Sequence, residues 1–262
     1  MRLPLMPPIA PMLAKAVSAL PEGAMSFEPK WDGFRSIIFR DGDEVEIGSR
    51  NGKPLTRYFP ELVAAIASEV PPGCVIDGEA VIWTQGRLGF SALQQRLGAG
   101  PKTLPGLLGR TPANYTAFDV LAVAGHDARD LPLHQRRSLL EELAKGWQPP
   151  LSLSPATTDP DEAALLAPIG HNGGAQQTNI GAGDVDGASA TGFAACGVFA
   201  RRQQHALRPN ADGPAAFRSV CPGPRRRGFY DPCGGDIDLT AVAPARIGAL
   251  LTSQVESGFR CN

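Results

Sequence analysis

The chain lacks C-x-x-C cysteine pairs, long apolar runs and an excess of positive charge, which are features of several common protein classes. Its five cysteines are an odd number with no C-x-x-C spacing, which argues against a disulfide framework and against a zinc site. Such cysteine usage fits a reducing cytoplasm. No apolar run approaches the roughly 18 residues of a membrane span, and prolines interrupt the apolar N-terminal stretch, so we expect neither a membrane segment nor a signal peptide. The net charge of -1 excludes a strongly basic, electrostatically driven nucleic-acid binder as a description of the whole chain.

Lysine is missing from the last part of the sequence. The last lysine is Lys145, whereas residues 168–262 hold 15 of the 30 glycines, nine arginines and four of the five cysteines. No apolar period of 3.6 or 2.0 residues runs through this segment, and only 241–251 has a weakly helical pattern. Three interpretations stay open: a disordered Gly/Ala-rich extension, a small divergent domain, or translation of a GC-rich gene in a shifted frame. Arginine without lysine favours the third. We predict an ordered domain over 1–165 and a low-pattern tail, frameshifted or disordered, over 166–262.

The first 165 residues carry the apolar periods of strands and helices. Alternating or continuous apolar patterns predict strands over 23–30, 34–40, 44–49 and 115–123, and either one long strand or a strand pair over 75–83. Patterns of period 3.6 predict helices over 58–69, 90–97 and 133–145, with Leu62, Ile66, Leu139, Leu140 and Leu143 facing inward. This mixture of antiparallel strands and helices predicts an α+β domain.

The segment EPKWDGFR places reactive residue types around a tight turn. Lys30 ends a predicted strand, and Asp32, Gly33 and Arg35 follow it. A lysine held on a rigid strand can act as a nucleophile when neighbouring cations lower its pKa. The planar fork of an arginine suits phosphate, and a glycine allows the backbone to approach a ligand closely. An ordinary surface turn remains the alternative.

Three other segments carry candidate binding residues. Asp77 and Glu79 flank a glycine within an apolar stretch, where carboxylates are costly to bury unless they are paired or bind a cation. The alternative for this D-G pair is a hairpin turn or bulge. Arg50 belongs to the donor-rich turn SRNGK. Phe118 lies in the apolar strand YTAFDVLAV, where an aromatic is more often core than a stacking platform.

The order and spacing of these segments identify a family. EPKWDGFR, SRNGKPLTRYFPE, VIDGEAVIW, FSALQQRL, YTAFDVLAVAGHD and LPLHQRRSLLEEL together resemble an ATP-dependent DNA ligase of the small bacterial, end-joining-related type. The resemblance covers roughly residues 7–165, the adenylation domain of the covalent nucleotidyltransferase superfamily. It implies an α+β, antiparallel-sheet, ATP-grasp-like nucleotidyltransferase domain that is incomplete here and is followed by an irregular or disordered tail.

This resemblance implies a reaction and its participants. The motif lysine of the family attacks the α-phosphate of ATP, so Lys30 would form lysyl-AMP and release pyrophosphate. AMP would pass to the 5′-phosphate of a DNA nick, and the 3′-hydroxyl would then seal the strand. The implied cofactors are ATP and Mg²⁺ (or Mn²⁺), and the implied partners are nicked double-stranded DNA and end-joining repair proteins. We expect a cytoplasmic monomer that acts in DNA repair and recombination.

The resemblance also implies a role for each matching residue. Glu28 would contact adenine, and Arg35 would contact the nucleotide and the 5′-phosphate. Arg50 would lie near the ribose and phosphates, Glu79 would hold the ribose or the metal, and Phe118 would stack on adenine. Asp32 would orient Lys30 or the metal, with Gly33 in the same turn.

The sequence departs from the family after Lys145. The family has two later motifs there, an E-G-(hydrophobic)-V-x-K strand and a W-x-K-x-K segment. Neither motif can occur in a region without lysine. An OB-fold domain is not recognisable either. We therefore expect poor stability, apolar faces of 75–83 and 115–123 that lack partners, and little nick sealing. The alternatives are another covalent nucleotidyltransferase (an RNA ligase or a capping-type guanylyltransferase), a non-catalytic remnant that binds adenine nucleotides, and a plain structural protein.

Overall fold

Two β-sheets form the framework of the part of the chain that the structure describes. The structure is a computed structural model, and it describes residues 1–12, 14–16, 23–170, 192–195 and 198–203. All of them fall within one unit, Met1–Leu207. In chain order the strands are β1 (Ala14–Ala16), β2 (Met25–Pro29), β3 (Phe34–Asp41), β4 (Glu44–Ser49), β5 (Cys74–Thr84), β6 (Arg87–Leu88), β7 (Ala113–Val123), β8 (His126–Asp127), β9 (Leu151–Leu153), β10 (Gly192–Ala195) and β11 (Val198–Arg202).

Five α-helices accompany the strands within the described residues. They are α1 (Pro60–Glu69), α2 (Phe90–Gly98), α3 (Leu104–Arg110), α4 (Leu133–Ala144) and α5 (Pro160–Gly170), and a short 3-10 helix spans Thr56–Tyr58. The predicted strands over 23–30, 34–40, 44–49 and 115–123 and the three predicted helices are confirmed, with ends that differ by at most two residues. The predicted inward-facing leucines and isoleucine of α1 and α4 are all buried.

The larger sheet runs in the order β4-β3-β5-β7-β8, with β6 paired to β5 and β9 paired to β7. Its pairs are antiparallel apart from β7 with β9. The smaller sheet has the order β1-β10-β11-β2, in which β2 pairs antiparallel with β11. The turn that follows β2 and Lys30 contacts β5, the central strand of the larger sheet, at Gly33.

The segment 75–83 lies in one continuous strand, β5, at the centre of the larger sheet. The hairpin alternative for its Asp-Gly pair is therefore wrong, because Gly78 pairs with β3 on one side and with β7 on the other. The bulge alternative agrees with the structure, since the register of β5 with β7 shifts between Asp77 and Gly78. A Cβ at Gly78 would lie 2.6 Å from the Thr116 carbonyl oxygen and 2.6 Å from Cζ of Tyr115. The glycine thus makes room for a buried tyrosine.

The apolar faces of β5 and β7 have partners in the described structure. Val75, Ile76, Val81 and Ile82 are fully buried, as is Val120 on β7. Helix α2 packs on β5, and α1 and α4 pack on β7. The expectation that these faces lack partners is wrong, because helices within the first 165 residues and the neighbouring strands supply them.

Part of the predicted tail is regular. Within 166–262 the structure describes the end of α5 and strands β10 and β11, which differs from the expectation of an irregular segment at these positions. Val198 and Ala200 of β11 pack with Met25 and Phe27 of β2, so tertiary pairing creates a strand that no local period reveals. The predicted boundary after residue 165 stays a prediction, and the pattern at 241–251 lies outside the described residues. No helix in the described ranges is long and apolar enough to cross a membrane.

Candidate active site

Lys30 stands directly after a rigid strand. Met25 and Phe27 of β2 are buried, and Phe27 exchanges two backbone hydrogen bonds with Thr157 on the side away from β11. Lys30 itself is half-buried. Among the described residues, no hydrogen bond or ion pair engages its ammonium group. A lysine that is fixed through its backbone and has an uncommitted amine is suited to attack an electrophile.

The turn after Lys30 presses against β5. A Cβ at Gly33 would lie 2.4 Å from the Ala80 carbonyl oxygen and 2.8 Å from Cγ of Glu79. Only a residue without a side chain permits this approach. Asp32 in the same turn is half-buried, and its charge raises the pKa of Glu79. The turn therefore brings the loop that carries Lys30 next to Glu79.

Arg35 and Asp77 form a bidentate ion pair between β3 and β5. Nη2 and Nε of Arg35 donate to the two Asp77 oxygens at 2.6 and 3.1 Å, and Nη1 donates to the Met12 carbonyl. The Asp77 side chain is 4% exposed. Burial disfavours the charge of Arg35, but Asp77 outweighs this effect and raises the arginine's pKa. Arg35 Cζ also lies 5.3 Å from the centroid of the Phe118 ring. This pair fixes the position of the Arg35 guanidinium group at the centre of the site.

Glu79 is a half-buried carboxyl group directly opposite Arg35 in the β3–β5 register. Burial raises its pKa to about 8, while the charges of Arg35 and Lys30 act in the opposite direction. A carboxyl group with such a pKa exists in both protonation states near neutral pH. Glu79 can therefore respond to a cation or a ligand hydroxyl that enters the site.

Arg50 lies at the edge of the site. Its backbone N–H donates to the Arg35 carbonyl at 3.2 Å, which holds the turn after β4 beside β3. The Arg50 residue is exposed. The structure thus brings Lys30, Glu28, Arg35, Glu79 and Phe118 together through shared contacts, whereas the Arg50 side chain faces solvent.

Arg201 is the residue of this site that the sequence analysis missed. It lies on β11, one strand away from Lys30, and its Nη2 donates to Glu28 Oε1 at 2.6 Å. Its Cζ lies 5.8 Å from the centroid of the Phe118 ring. Residues 197–201 read GVFAR, which has the spacing of the expected G-(hydrophobic)-V-x-K with phenylalanine in place of valine and arginine in place of lysine. A search that allowed this exchange would have found it, although Cys196 stands where the pattern has glutamate.

Asp119 completes the charge arrangement behind the site. Its oxygens accept from Arg136 at 2.8 and 3.0 Å and from Arg201 at 2.8 Å. Burial alone would raise the pKa of Asp119, but the two arginines outweigh it and the pKa is lowered. Taken together, the site holds an uncommitted lysine, fixed positive charges, an aromatic face and a responsive carboxyl group. Such a set suits nucleophilic attack on a bound phosphate ester.

The chain is similar to DNA ligases in sequence and in structure. The profile of the ATP dependent DNA ligase domain matches residues 8–166. DNA ligase C of Mycobacterium tuberculosis is 55% identical over 163 residues, which cover 61% of this chain and 45% of that protein. The ligase domain of M. tuberculosis LigD has a TM-score of 0.54 at 27% identity and covers 76% of this chain and 56% of its own. A structure described as mycobacterial DNA ligase D complexed with ATP and MES matches with the same values.

The match extends over part of each relative. The chain spans less than half the length of the curated relatives that it matches, with 45% of DNA ligase C covered. The matched region contains Lys30, Arg35, Glu79 and Phe118 and the elements that hold them. The α+β nucleotidyltransferase fold expected from the sequence is confirmed by the likeness to the LigD ligase domain. This chain belongs to the family of ATP-dependent DNA ligase domains.

Proposed function

We propose that this chain transfers AMP from ATP to Lys30 as the first step of sealing nicks in double-stranded DNA. The observation that carries the proposal is the position of Lys30. It follows a rigid strand, has no committed partner among the described residues, and stands close to Glu79, which is opposite Arg35 in the β3–β5 register. The names of the relatives support DNA as the substrate, and the ATP complex of a DNA ligase D structure supports the nucleotide.

The proposed step is an in-line displacement at phosphorus. The neutral Nζ of Lys30 forms a bond to the α-phosphorus, the bond from that phosphorus to the oxygen bridging to the β-phosphate breaks, and pyrophosphate leaves with the electron pair. The nitrogen gives up one proton to solvent and keeps one in the lysyl-AMP phosphoramidate. Arg35, held by Asp77, would face the phosphates, and Arg50 at the rim would reach the ribose and phosphates. Glu28 and Phe118 would bind adenine at the other end of the site.

A divalent cation fits this site when carboxylates and substrate phosphates bind it together. The described residues contain no group of three or more His, Cys, Asp and Glu side chains that could hold a metal by themselves. Mg²⁺ is usually bound through one or two carboxylates together with substrate phosphates, and Glu79 with Asp32 nearby provides such carboxylates. When bound, Mg²⁺ or Mn²⁺ would neutralise phosphate charge.

We expect the later steps of the proposed reaction to be less efficient than the first. AMP would move from Lys30 to the 5′-phosphate of the nick, and attack by the 3′-hydroxyl would release it. The absence of any lysine after Lys145 removes phosphate-binding charges that the family uses, so we expect adenylylation to exceed nick sealing in this chain. We also propose that the chain is a monomeric cytoplasmic protein, that it acts in repair and recombination, and that end-joining repair proteins are its partners.

Intact-mass spectrometry of the full chain after incubation with ATP and Mg²⁺ tests the proposal. We expect one AMP adduct, absent from Lys30→Ala and present in Lys53→Ala, which removes an exposed lysine from the turn that carries Arg50. A nicked DNA duplex and a nicked RNA duplex, each added to the adenylylated chain, separate a DNA ligase from an RNA ligase. A chain that forms no adduct, or forms it equally in Lys30→Ala, contradicts the proposal.

A further inference from the structure

Arg201 is a buried arginine whose guanidinium group is engaged by three protein acceptors. Nη2 donates to Glu28 Oε1 at 2.6 Å and to the Phe118 carbonyl at 2.7 Å, and Nη1 donates to Asp119 Oδ2 at 2.8 Å. Its side chain is 5% exposed. One side chain from β11 therefore contacts both residues that the proposed function places against the base.

Arg201 is the centre of a row of alternating charges. Arg136, Asp119, Arg201, Glu28 and Arg137 follow one another and connect α4, β7, β11 and β2. Asp119 has a second close partner in Arg136 at 2.8 Å, whereas the second partner of Glu28, Arg137, lies 3.9 Å away. A buried charge without a close partner is strongly unfavourable. Loss of Arg201 would thus disturb Glu28 more than Asp119.

We infer that Arg201 is a positioning residue that makes the nucleotide site select adenine over guanine. It holds one oxygen of Glu28 and the backbone of Phe118, so the other Glu28 oxygen and the Phe118 ring keep a fixed relation. An ion-paired carboxylate accepts hydrogen bonds and donates none, which favours a base that presents an amino group over one that presents a carbonyl at the same place. The inference rests on the proposed function, because it requires the base to lie between Glu28 and Phe118.

A purely structural role for Arg201 predicts different behaviour. An arginine that merely joins β11 to β2 and β7 would lower stability when removed, and it would lower the reaction with ATP and with GTP by the same factor. A positioning role changes the ratio of the two reactions. The ratio of the initial rates of adduct formation with ATP and with GTP is therefore the decisive quantity.

The test uses the full chain and four proteins. These are the unmodified chain, Arg201→Ala, Arg201→Lys and the matched control Arg202→Ala, which removes an exposed arginine from the same strand. We expect the ATP:GTP ratio to fall by about tenfold or more in Arg201→Ala, since sites that pair polar groups discriminate far more strongly than that. Arg201→Lys keeps the charge but not the planar fork, so its ratio should lie between the two. Arg202→Ala should keep the original ratio.

The outcomes separate the two proposals. Equal ATP:GTP ratios in the unmodified chain and both Arg201 variants overturn the inference while leaving Lys30 chemistry intact. If Arg201→Ala does not fold, Arg201→Lys carries the comparison. If the unmodified chain forms no Lys30 adduct, the proposed function fails. The preference for adenine is then measured as the difference between the shifts of the thermal unfolding midpoint caused by ATP and by GTP. A preference for ATP that is smaller in Arg201→Lys than in the unmodified chain supports the inference, and the absence of any preference in the unmodified chain overturns it.

Discussion

Replacing Gly33 by alanine should uncouple the Lys30 turn from β5. The added Cβ would lie 2.4 Å from the Ala80 carbonyl oxygen, 2.8 Å from Cγ of Glu79 and 2.9 Å from Cγ1 of Val81. An ordinary van der Waals contact needs at least about 3.4 Å, so the turn and the strand must separate by about 1 Å. The nearest atom belongs to the backbone of a central strand, which leaves the turn as the part that moves.

The displacement has two calculable consequences. Inserting a methyl group into packed structure costs about 1–3 kcal/mol of folding free energy. A misplacement of about 1 Å at a catalytic group can lower a rate by about 100-fold. We therefore expect the initial rate of AMP adduct formation on Lys30 to fall by about 100-fold at saturating ATP, together with a modest fall in the unfolding midpoint.

A matched glycine provides the control. Gly100→Ala adds the same methyl group at an exposed position where no heavy atom lies within 4 Å, so it should leave the rate unchanged. The measurement is adduct mass against time for the three proteins, with thermal unfolding recorded in parallel. A Gly33→Ala chain that is adenylylated at the unmodified rate would refute the argument that close approach of the turn to β5 positions Lys30.

Three further predictions concern the larger sheet. Burial raises the pKa of Glu79 to about 8 in the folded chain, so the contribution of Glu79 to stability falls as the pH rises from about 4.5 to 8. In urea denaturation, the midpoint of Glu79→Gln should therefore rise relative to that of the unmodified chain between pH 5 and 8, and a pH-independent difference would contradict this. Arg35→Ala leaves Asp77 buried without its partner and should lower the unfolding free energy by about 3 kcal/mol. If the pairing is the cause, the double variant Arg35→Ala with Asp77→Ala should recover part of that loss in the same denaturation measurement. Tyr115→Phe removes a buried hydroxyl that donates to either of two backbone carbonyls at 2.9 and 3.1 Å; we expect a loss of about 1–2 kcal/mol in chemical denaturation, and an unchanged midpoint would show that these bonds contribute nothing net.

Local patterns were sufficient for most elements that surround Lys30. The alternation over 34–40 and 44–49 and the helical period over 133–145 reflect neighbours within one element, and each is confirmed with small shifts at its ends. The segment around Gly78 was ambiguous, because an Asp-Gly pair fits a hairpin turn as well as a strand. Pairing with β3 and β7 on both sides resolves it in favour of one strand.

The site residues divide in the same way. The sequence pointed to Lys30, Arg35 and Glu79 through motif spacing, and the structure brings them together across β2, β3 and β5. It could not show that Arg35 is already paired with Asp77, since that contact joins residues 42 positions apart. Nor could it show that Glu79 is crowded enough for burial to raise its pKa to about 8.

The sequence by itself determined the family and the identity of the candidate nucleophile, because both depend on the order and spacing of motifs along the chain. It also predicted the elements whose apolar periods are local. Tertiary structure alone decided which charges meet. Arg201 reaches Glu28 across 173 positions, from a region in which no local period predicts a strand. Its place is set by the antiparallel register of β11 on β2, and such a register depends on burial of Val198 and Ala200 against Met25 and Phe27 rather than on any pattern within the segment itself.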